Sequence, residues 1–459
     1  MTKMTQTGWR LGVALGALLV ATAASADPFA ATGTFDGRIG ASGPNRGPIV
    51  AGGEAVIAAR GLAAGQQITL RQGGEALEGA PFTASEDGTL ETRIAIPASA
   101  APGVYPVVVE AAGDAPFATI MDLKVSKQVE PMGQDAYDFQ AVEIVQNPYQ
   151  VAVGKEAIFV TGAVGRPPVK VSELAKLDPA TLEIVARVTP PEAPQNDTGR
   201  GGGVFAVYGV GLAEDAGQVW VTNTRQNSVA VYSADDLSLI KQFPVDTVGH
   251  PRDAVYANGK VYVTATFEPK VHVFDTETLE EVAVIELASK RRGEAFATAS
   301  LSLAPEAGKL FVSSLRSEEV AVIDMVSDTQ TGGFVIDGSD NTIGLAATAD
   351  GARVFTVAQG NDAVTILDGN SGEVIRQVNI GANPLNAVVE PTTGNVYVAL
   401  RNGNAVVVMS PEGEVLANLP VGSLPNHLAA DGQGQVYVVN KSAGQDDPSA
   451  NRLTRITAK

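Results

Sequence analysis

The chain has no cysteine. That excludes disulfides, thiolate metal sites, a lipidated cysteine anchor, CxxCH haem attachment and any cysteine nucleophile. Histidine and tryptophan are scarce, at 3 and 2 residues, and aromatics make up only 5% of 459 residues. Positive charge is also short: 32 Lys and Arg face 51 Asp and Glu, a formal charge of −19. A surface of that sign repels nucleic acid and anionic membranes, although a local basic patch remains compatible with it. Long apolar runs are absent beyond the N-terminus, so no later segment is expected to span a membrane.

The N-terminal run has the form of a leader. Lys3 and Arg10 precede an apolar stretch from Leu11 to Ala24, and Ala24-Ser25-Ala26 supplies a small-residue cleavage signal. Residues 1–26 read as a secretory signal peptide, too short for a comfortable anchor. The expected mature protein is soluble, in the periplasm or outside the cell. Without disulfides it must be held by core packing.

Glycine (49 residues), proline (26) and 45% hydrophobic content suit short strands and tight turns. Residues 27–48 are Gly- and Ala-rich and read as a flexible segment. Residues 49–126 alternate in short strands, such as Gln67-Ile68-Thr69-Leu70 and Leu90 to Ile96, between turns at Gly52-Gly53, Gly73-Gly74, Asp87-Gly88 and Pro102-Gly103. This pattern predicts an antiparallel β-sandwich. With its Pro102-Gly103-Val104-Tyr105 strand it resembles bacterial immunoglobulin-like (Ig-like) modules. Residues 127–135 read as a linker.

From residue 136 the chain repeats. One strand recurs seven times: Ile158-Phe159-Val160-Thr161, Val219-Trp220-Val221-Thr222-Asn223, Val261-Tyr262-Val263-Thr264, Leu310-Phe311-Val312-Ser313, Val354-Phe355-Thr356-Val357, Val396-Tyr397-Val398-Ala399 and Val436-Tyr437-Val438-Val439-Asn440. The spacings are 61, 42, 49, 44, 42 and 40 residues. Each copy is followed by a second apolar strand, often an Asp-x-x-Thr/Ser turn (Asp178, Asp275), and a further strand. Periods of this size with several strands per unit mark a β-propeller. The last copy stops at Lys459 without its fourth strand, and Tyr137 to Val145 is expected to supply it, closing the ring.

The VWVTN, VYVT and VYVVN strands resemble the YVTN family of seven-bladed β-propellers over residues 137–459. The resemblance implies an all-β fold of one propeller behind the Ig-like sandwich. It leaves function open, since relatives include exported binding proteins, propeller subunits of periplasmic redox enzymes and lactonases.

In such a ring the loops entering the innermost strands share one face. Four of these entries carry proline, at Pro148, Pro251, Pro384 and Pro425. Beside them Tyr149, Gln150, His250, Arg252, Asp253, Asn386, Asn426 and His427 are expected to converge on one funnel and bind a ligand. For each alone, the plainer reading is a side chain capping a turn. Acids concentrate on the other loops (Glu214-Asp215, Asp235-Asp236, Glu280-Glu281), whereas the funnel-side loops carry Arg166, Arg200, Arg225, Lys290-Arg291-Arg292, Arg316, Arg401 and Lys441. Of these Arg225, Arg316, Arg401 and Lys441 are candidates for binding an anion. Solvated loop charge is the simpler account of most of the others.

Metal and catalytic signals are thin. His272 lies in an alternating strand and reads as structural, and two further histidines make no metal site. No GxSxG, P-loop or HExxH motif occurs. Arg200-Gly201-Gly202-Gly203 follows no strand and reads as a flexible loop. No cofactor site is legible. The leading expectation is a non-enzymatic binding propeller for a small anion or a protein. A lactonase-like hydrolase or isomerase built on His250, Arg252, Asp253 and His427 is the alternative. Single-stranded DNA binding, which the acidic charge opposes, and a redox-complex subunit come after it.

Overall fold

The computed structural model describes residues 34–113, 115–195, 201–444 and 446–459. The leader reading and Arg200 fall outside them. Among the described residues no helix is long and apolar enough to cross a membrane. Regular structure is almost wholly β.

The N-terminal unit has two sheets. Arg38–Ser42, Glu54–Arg60 and Thr89–Ala95 form one; Ile49–Val50, Phe117–Ser126, Gly103–Ala112, Gln67–Gln72 and Glu75–Ala76 form the other, with Phe82–Thr83 also paired to Gln67–Gln72. Alternate residues turn inward, so Ala55, Ile57, Ile68, Leu70, Val107, Val109, Met121 and Leu123 share one core. The flexible reading of 27–48 fails for its second half, because Arg38–Ser42 is fully paired with Val56 to Arg60. The 127–135 segment is not a free linker either. Met132 bridges Asn418, whose Nδ2 donates to the carbonyls of Val129 and Glu130. Lys124 fastens the unit to the rest of the chain: its Nζ donates to Asp362 Oδ1 at 2.7 Å, Gln359 O at 2.5 Å and Asn383 Oδ1 at 2.5 Å.

The described residues from 137 onward form seven four-stranded antiparallel sheets, numbered here in chain order by their first strands: Pro148–Val153, Val207–Ala213, Pro251–Ala257, Thr298–Ala304, Thr342–Ala347, Pro384–Val389 and Pro425–Ala430. These inner strands touch one another in a closed cycle, the seventh meeting the first. The outer strand of sheet seven is Tyr137–Glu143, paired along its whole length with Arg452–Ala458. The two ends of the repeat region thus share one sheet, and the ring has no bare edge there.

The recurrent strand explains the ring chemically. Its side chains alternate between two faces, and both faces are covered by neighbouring sheets. The aromatic of each copy packs into the following sheet: Phe159 beside Val219, Trp220 beside Phe274, Tyr262 beside Leu310, Phe311 beside Val354, Phe355 beside Val398, Tyr397 beside Val436, and Tyr437 beside Val160. Its hydroxyl residue has a separate task. Each inner strand shifts register near its start, as between Pro148 and Val151 or Pro251 and Ala254. The bulge frees N–H groups. Thr161, Thr222, Thr264 and Ser313 accept them from Gln150, Gly209, Asp253 and Ser300. Three of these hydroxyls then donate to the next sheet, at the carbonyls of Tyr208, Arg252 and Ile343.

Candidate functional site

The pairing registers align the seven inner strands residue by residue. Val151, Val210, Ala254, Leu301, Leu345, Ala387 and Leu428 pair with equivalent positions of their second strands. The residues one place earlier therefore form a level band: Gln150, Gly209, Asp253, Ser300, Gly344, Asn386 and His427. One place earlier again come Tyr149, Tyr208, Arg252, Ala299, Ile343, Leu385 and Asn426.

The lower band stitches sheets together. Gln150 accepts the N–H of Val210 at 3.0 Å, Asp253 that of Leu301 at 3.2 Å, Asn386 that of Leu428 at 2.8 Å, and His427 Nδ1 that of Val151 at 3.4 Å. Gln150 Nε2 also donates to Asp253 Oδ1 at 2.7 Å. Each of these candidates thus spends one acceptor on the following sheet. Glycine is needed at Gly209, where a Cβ would lie 1.8 Å from the carbonyl oxygen of Arg252. Ser300 is buried, and its Oγ has no partner among the described residues. Burial holds the His427 imidazolium down to about 4, with Asp253 opposing the shift and Arg252 adding to it. The ring is therefore neutral at pH 7 and fit to accept the Val151 N–H.

On one side of this band lies a cavity of roughly 730 Å³, floored by Gln150, Asp253, Asn386 and His427 and walled by residues such as Val153, Leu212, Val255 and Leu303. On the other side the cations gather. Lys441, only 9% exposed, places Nζ 4.3 Å from the centre of the Tyr149 ring. Tyr149 meets Tyr208 edge-on at 4.9 Å. Arg225 lies over Tyr208 at 5.7 Å, its Nε donating to the phenol oxygen at 3.3 Å. Burial pushes the Lys441 ammonium down to about 7, and Arg401, Arg252 and Arg225 push the same way. Arg401 is lowered by burial and by Arg252, against the pull of Tyr149. Among the described residues the one ion pair in this group is Arg252 with Asp253, at 3.6 Å, and Arg252 Nε is buried without a hydrogen-bond partner. Asn426 Nδ2 donates to the Tyr149 carbonyl at 2.6 Å.

His250 and Arg316 meet a different ring, Phe267, although His250 still feels Arg225. His250 takes a left-handed backbone (φ 43°), donates its N–H to Asn227 Oδ1 and packs on Phe267. Burial, then Arg225, lowers its pKa. Arg316 is exposed over the same Phe267 ring, at 6.0 Å. The set His250, Arg252, Asp253 and His427 is thus divided between a rim and a floor. Gly201, Gly202 and Gly203 all have positive φ, and Gly203 lies against the Val169 backbone. Among the described residues no group of three or more His, Cys, Asp or Glu is placed to hold a metal ion. Sequence reasoning missed Tyr208 and Ser300. No proline precedes Tyr208 or Ser300, and the offset back from the recurrent Thr/Ser changes from 11 to 13 residues between sheets, so no fixed count locates them.

The chain was compared with known proteins. Virginiamycin B lyase from Staphylococcus aureus superposes with a TM-score of 0.55 at 13% identity, over 70% of this chain and 100% of that one. The WD40 beta propeller domain of Doa1 gives 0.51 at 11% identity, over 70% and 97%. The ring is a β-propeller. Hydrazine synthase of Kuenenia stuttgartiensis superposes with a TM-score of 0.53 at 16% identity, over 65% of this chain and 94% of that one. At these identities the likeness concerns fold alone. Residues 248–413 of the propeller match a family model described as a domain of unknown function, DUF5074. No curated protein matches the chain.

Proposed function

We propose that this is an exported, non-enzymatic binding protein: a seven-bladed, YVTN-type propeller behind an Ig-like sandwich, acting in the periplasm or outside the cell. Its funnel binds an anionic ligand. The observation that carries this reading is the convergence of Arg225, Arg252, Arg401 and Lys441 on Tyr149 and Tyr208, with Asp253 the one acid paired to them among the described residues. Recessed, mutually repelling cations are costly unless something neutralises them. The seven blades are supported by seven four-stranded sheets in a closed cycle, and export by the leader-like N-terminus. The sandwich, clamped through Lys124, is a second module fixed beside the Arg401 side of the funnel.

The test compares wild type with Arg225→Gln/Arg401→Gln/Lys441→Gln by native mass spectrometry after exposure to a small-molecule extract. A bound anion on wild type and none on the variant is the expected result; equal retention by both overturns the reading.

A lyase- or lactonase-like activity is the second reading, favoured by one feature. His427 is neutral, with Nδ1 engaged, beside Asp253 at the cavity floor. A lactone panel assayed with wild type and His427→Ala decides it, and equal rates dispose of it.

A further inference from the structure

We propose that the funnel takes a small dianion, a phosphate monoester or a short dicarboxylate, and that its binding draws a proton onto Lys441. This rests on the reading of the funnel as a binding site and narrows it.

Size comes first. Arg252 and Lys441 are both only 9% exposed, so a ligand meeting them must be small or present a small group. A long polyanion would also meet the field of a chain with net charge −19. Charge comes next. Of four cations, Arg252 is partly offset by Asp253. Arg225, Arg401 and Lys441 remain, and they come from different sheets: Arg225 follows Gln218–Asn223 of sheet two, Arg401 follows Val396–Leu400 of sheet six, and Lys441 follows Gln435–Asn440 of sheet seven. With Lys441 protonated, a monoanion leaves two charges of this set uncompensated and a dianion leaves one. Position is the third element: the Tyr149 and Tyr208 rings lie under Lys441 and Arg225 and hold those two cations side by side.

The proton follows from what faces Lys441. Arg225, Arg252 and Arg401 repel its charge, and the Tyr149 ring lies beneath it. On its own loop, Asp447 is already committed: its carboxylate accepts from the N–H of Ala443 and from the N–H and hydroxyl of Ser449. Asp446 on that loop is exposed. Asp253 is held by Gln150 and Leu301, and His427 is neutral. The empty site therefore disfavours the ammonium. A dianion beside it reverses that preference. Binding and protonation are then linked, and affinity falls as pH rises above neutrality.

Calorimetry on the full chain at pH 8 tests this. Inorganic phosphate, glycerol phosphate, succinate and acetate are titrated in two buffers of different ionisation heat. The expected result is binding of at least one dianion about tenfold tighter than acetate, with net proton uptake. The tighter of glycerol phosphate and succinate identifies the source. Lys441→Arg, which keeps the charge but cannot titrate, should bind without uptake. Lys441→Met should weaken binding about tenfold or more. Dianions no tighter than acetate, or uptake that survives in Lys441→Arg, overturn the proposal. If small dianions fail but another anion is retained by wild type and lost from the triple glutamine variant, this proposal falls and the funnel reading stands. Equal retention by wild type and the triple variant removes both.

Discussion

The outer turns and the funnel of the same propeller treat charge in opposite ways. At the turns, Asp178, Asp275, Asp324 and Asp368 each accept two following backbone N–H groups and a Thr or Ser hydroxyl. Backbone hydrogen bonds lead in holding these four carboxylates below their usual range. In the funnel, burial leads instead, and it works against the charged form of Lys441 and Arg401. A turn carboxylate is complete as it stands. The funnel cations have aromatic rings for neighbours, and only Arg252 has a carboxylate partner among the described residues. The contrast separates charge that builds the fold from charge held for a ligand.

The strongest way to break this contrast is to remove Asp253, the one acid paired with these cations among the described residues. Asp253→Ala leaves Arg252 buried beside no carboxylate and strips acceptors from Gln150 and the Leu301 N–H. Breaking a buried pair from one side costs on the order of 3–5 kcal/mol. Urea unfolding should show that loss, with Asp253→Asn recovering part of it. An unchanged midpoint would mean that Arg252 needs no counter-charge.

Lys441→Met tests the contrast from the other direction. Burial lowers Lys441 from 10.5 in the unfolded chain to about 7 in the folded one. Below pH 7 both states carry the proton, and the folded state bears the full cost of burying the charge. Between 7 and 10.5 the folded chain sheds the proton while the unfolded chain keeps it, so stability from this group rises with pH. The methionine variant should therefore be more stable than wild type at pH 7 and below, by roughly 2–4 kcal/mol at most. Its advantage should shrink towards pH 10. Denaturant midpoints of the two proteins, measured without ligand across that range, check both sign and slope.

Much of the ring was legible because its signals are periodic. The aromatic of the recurrent strand packs every sheet on the next, and its hydroxyl caps the bulge in the first four sheets, so these residues return once per repeat. The pairing of Tyr137–Glu143 with the last strand was legible from the missing fourth strand. The funnel was only half legible. Proline marked Arg252 and His427 but not Tyr208, which follows Val207. Counting entry residues also could not separate Gln150, Asn386 and His427, which stitch neighbouring sheets, from Arg401 and Lys441, which lie after the recurrent strand. The docking of the sandwich rests on Lys124, one cation in an otherwise ordinary alternating strand, whose partners lie more than two hundred residues away. No local pattern announces a contact of that kind.

The smallest effect belongs to the turns, and its pH dependence should run at the other end of the scale. Asp275 lies at the surface, so Asp275→Ala removes hydrogen bonds to Glu277 and Thr278 that water can largely replace. The loss should be well below that of Asp253→Ala. Because the folded carboxylate is held below its ordinary value, chiefly by the Thr278 N–H, its contribution is fully present above the unfolded pKa of 3.8 and disappears as pH falls through the folded value. Wild type and Asp275→Ala should therefore differ slightly at pH 7 and converge in strong acid, while wild type and Lys441→Met converge only in alkali. If the two pairs converge in the same pH range, the division between building charge and binding charge is wrong.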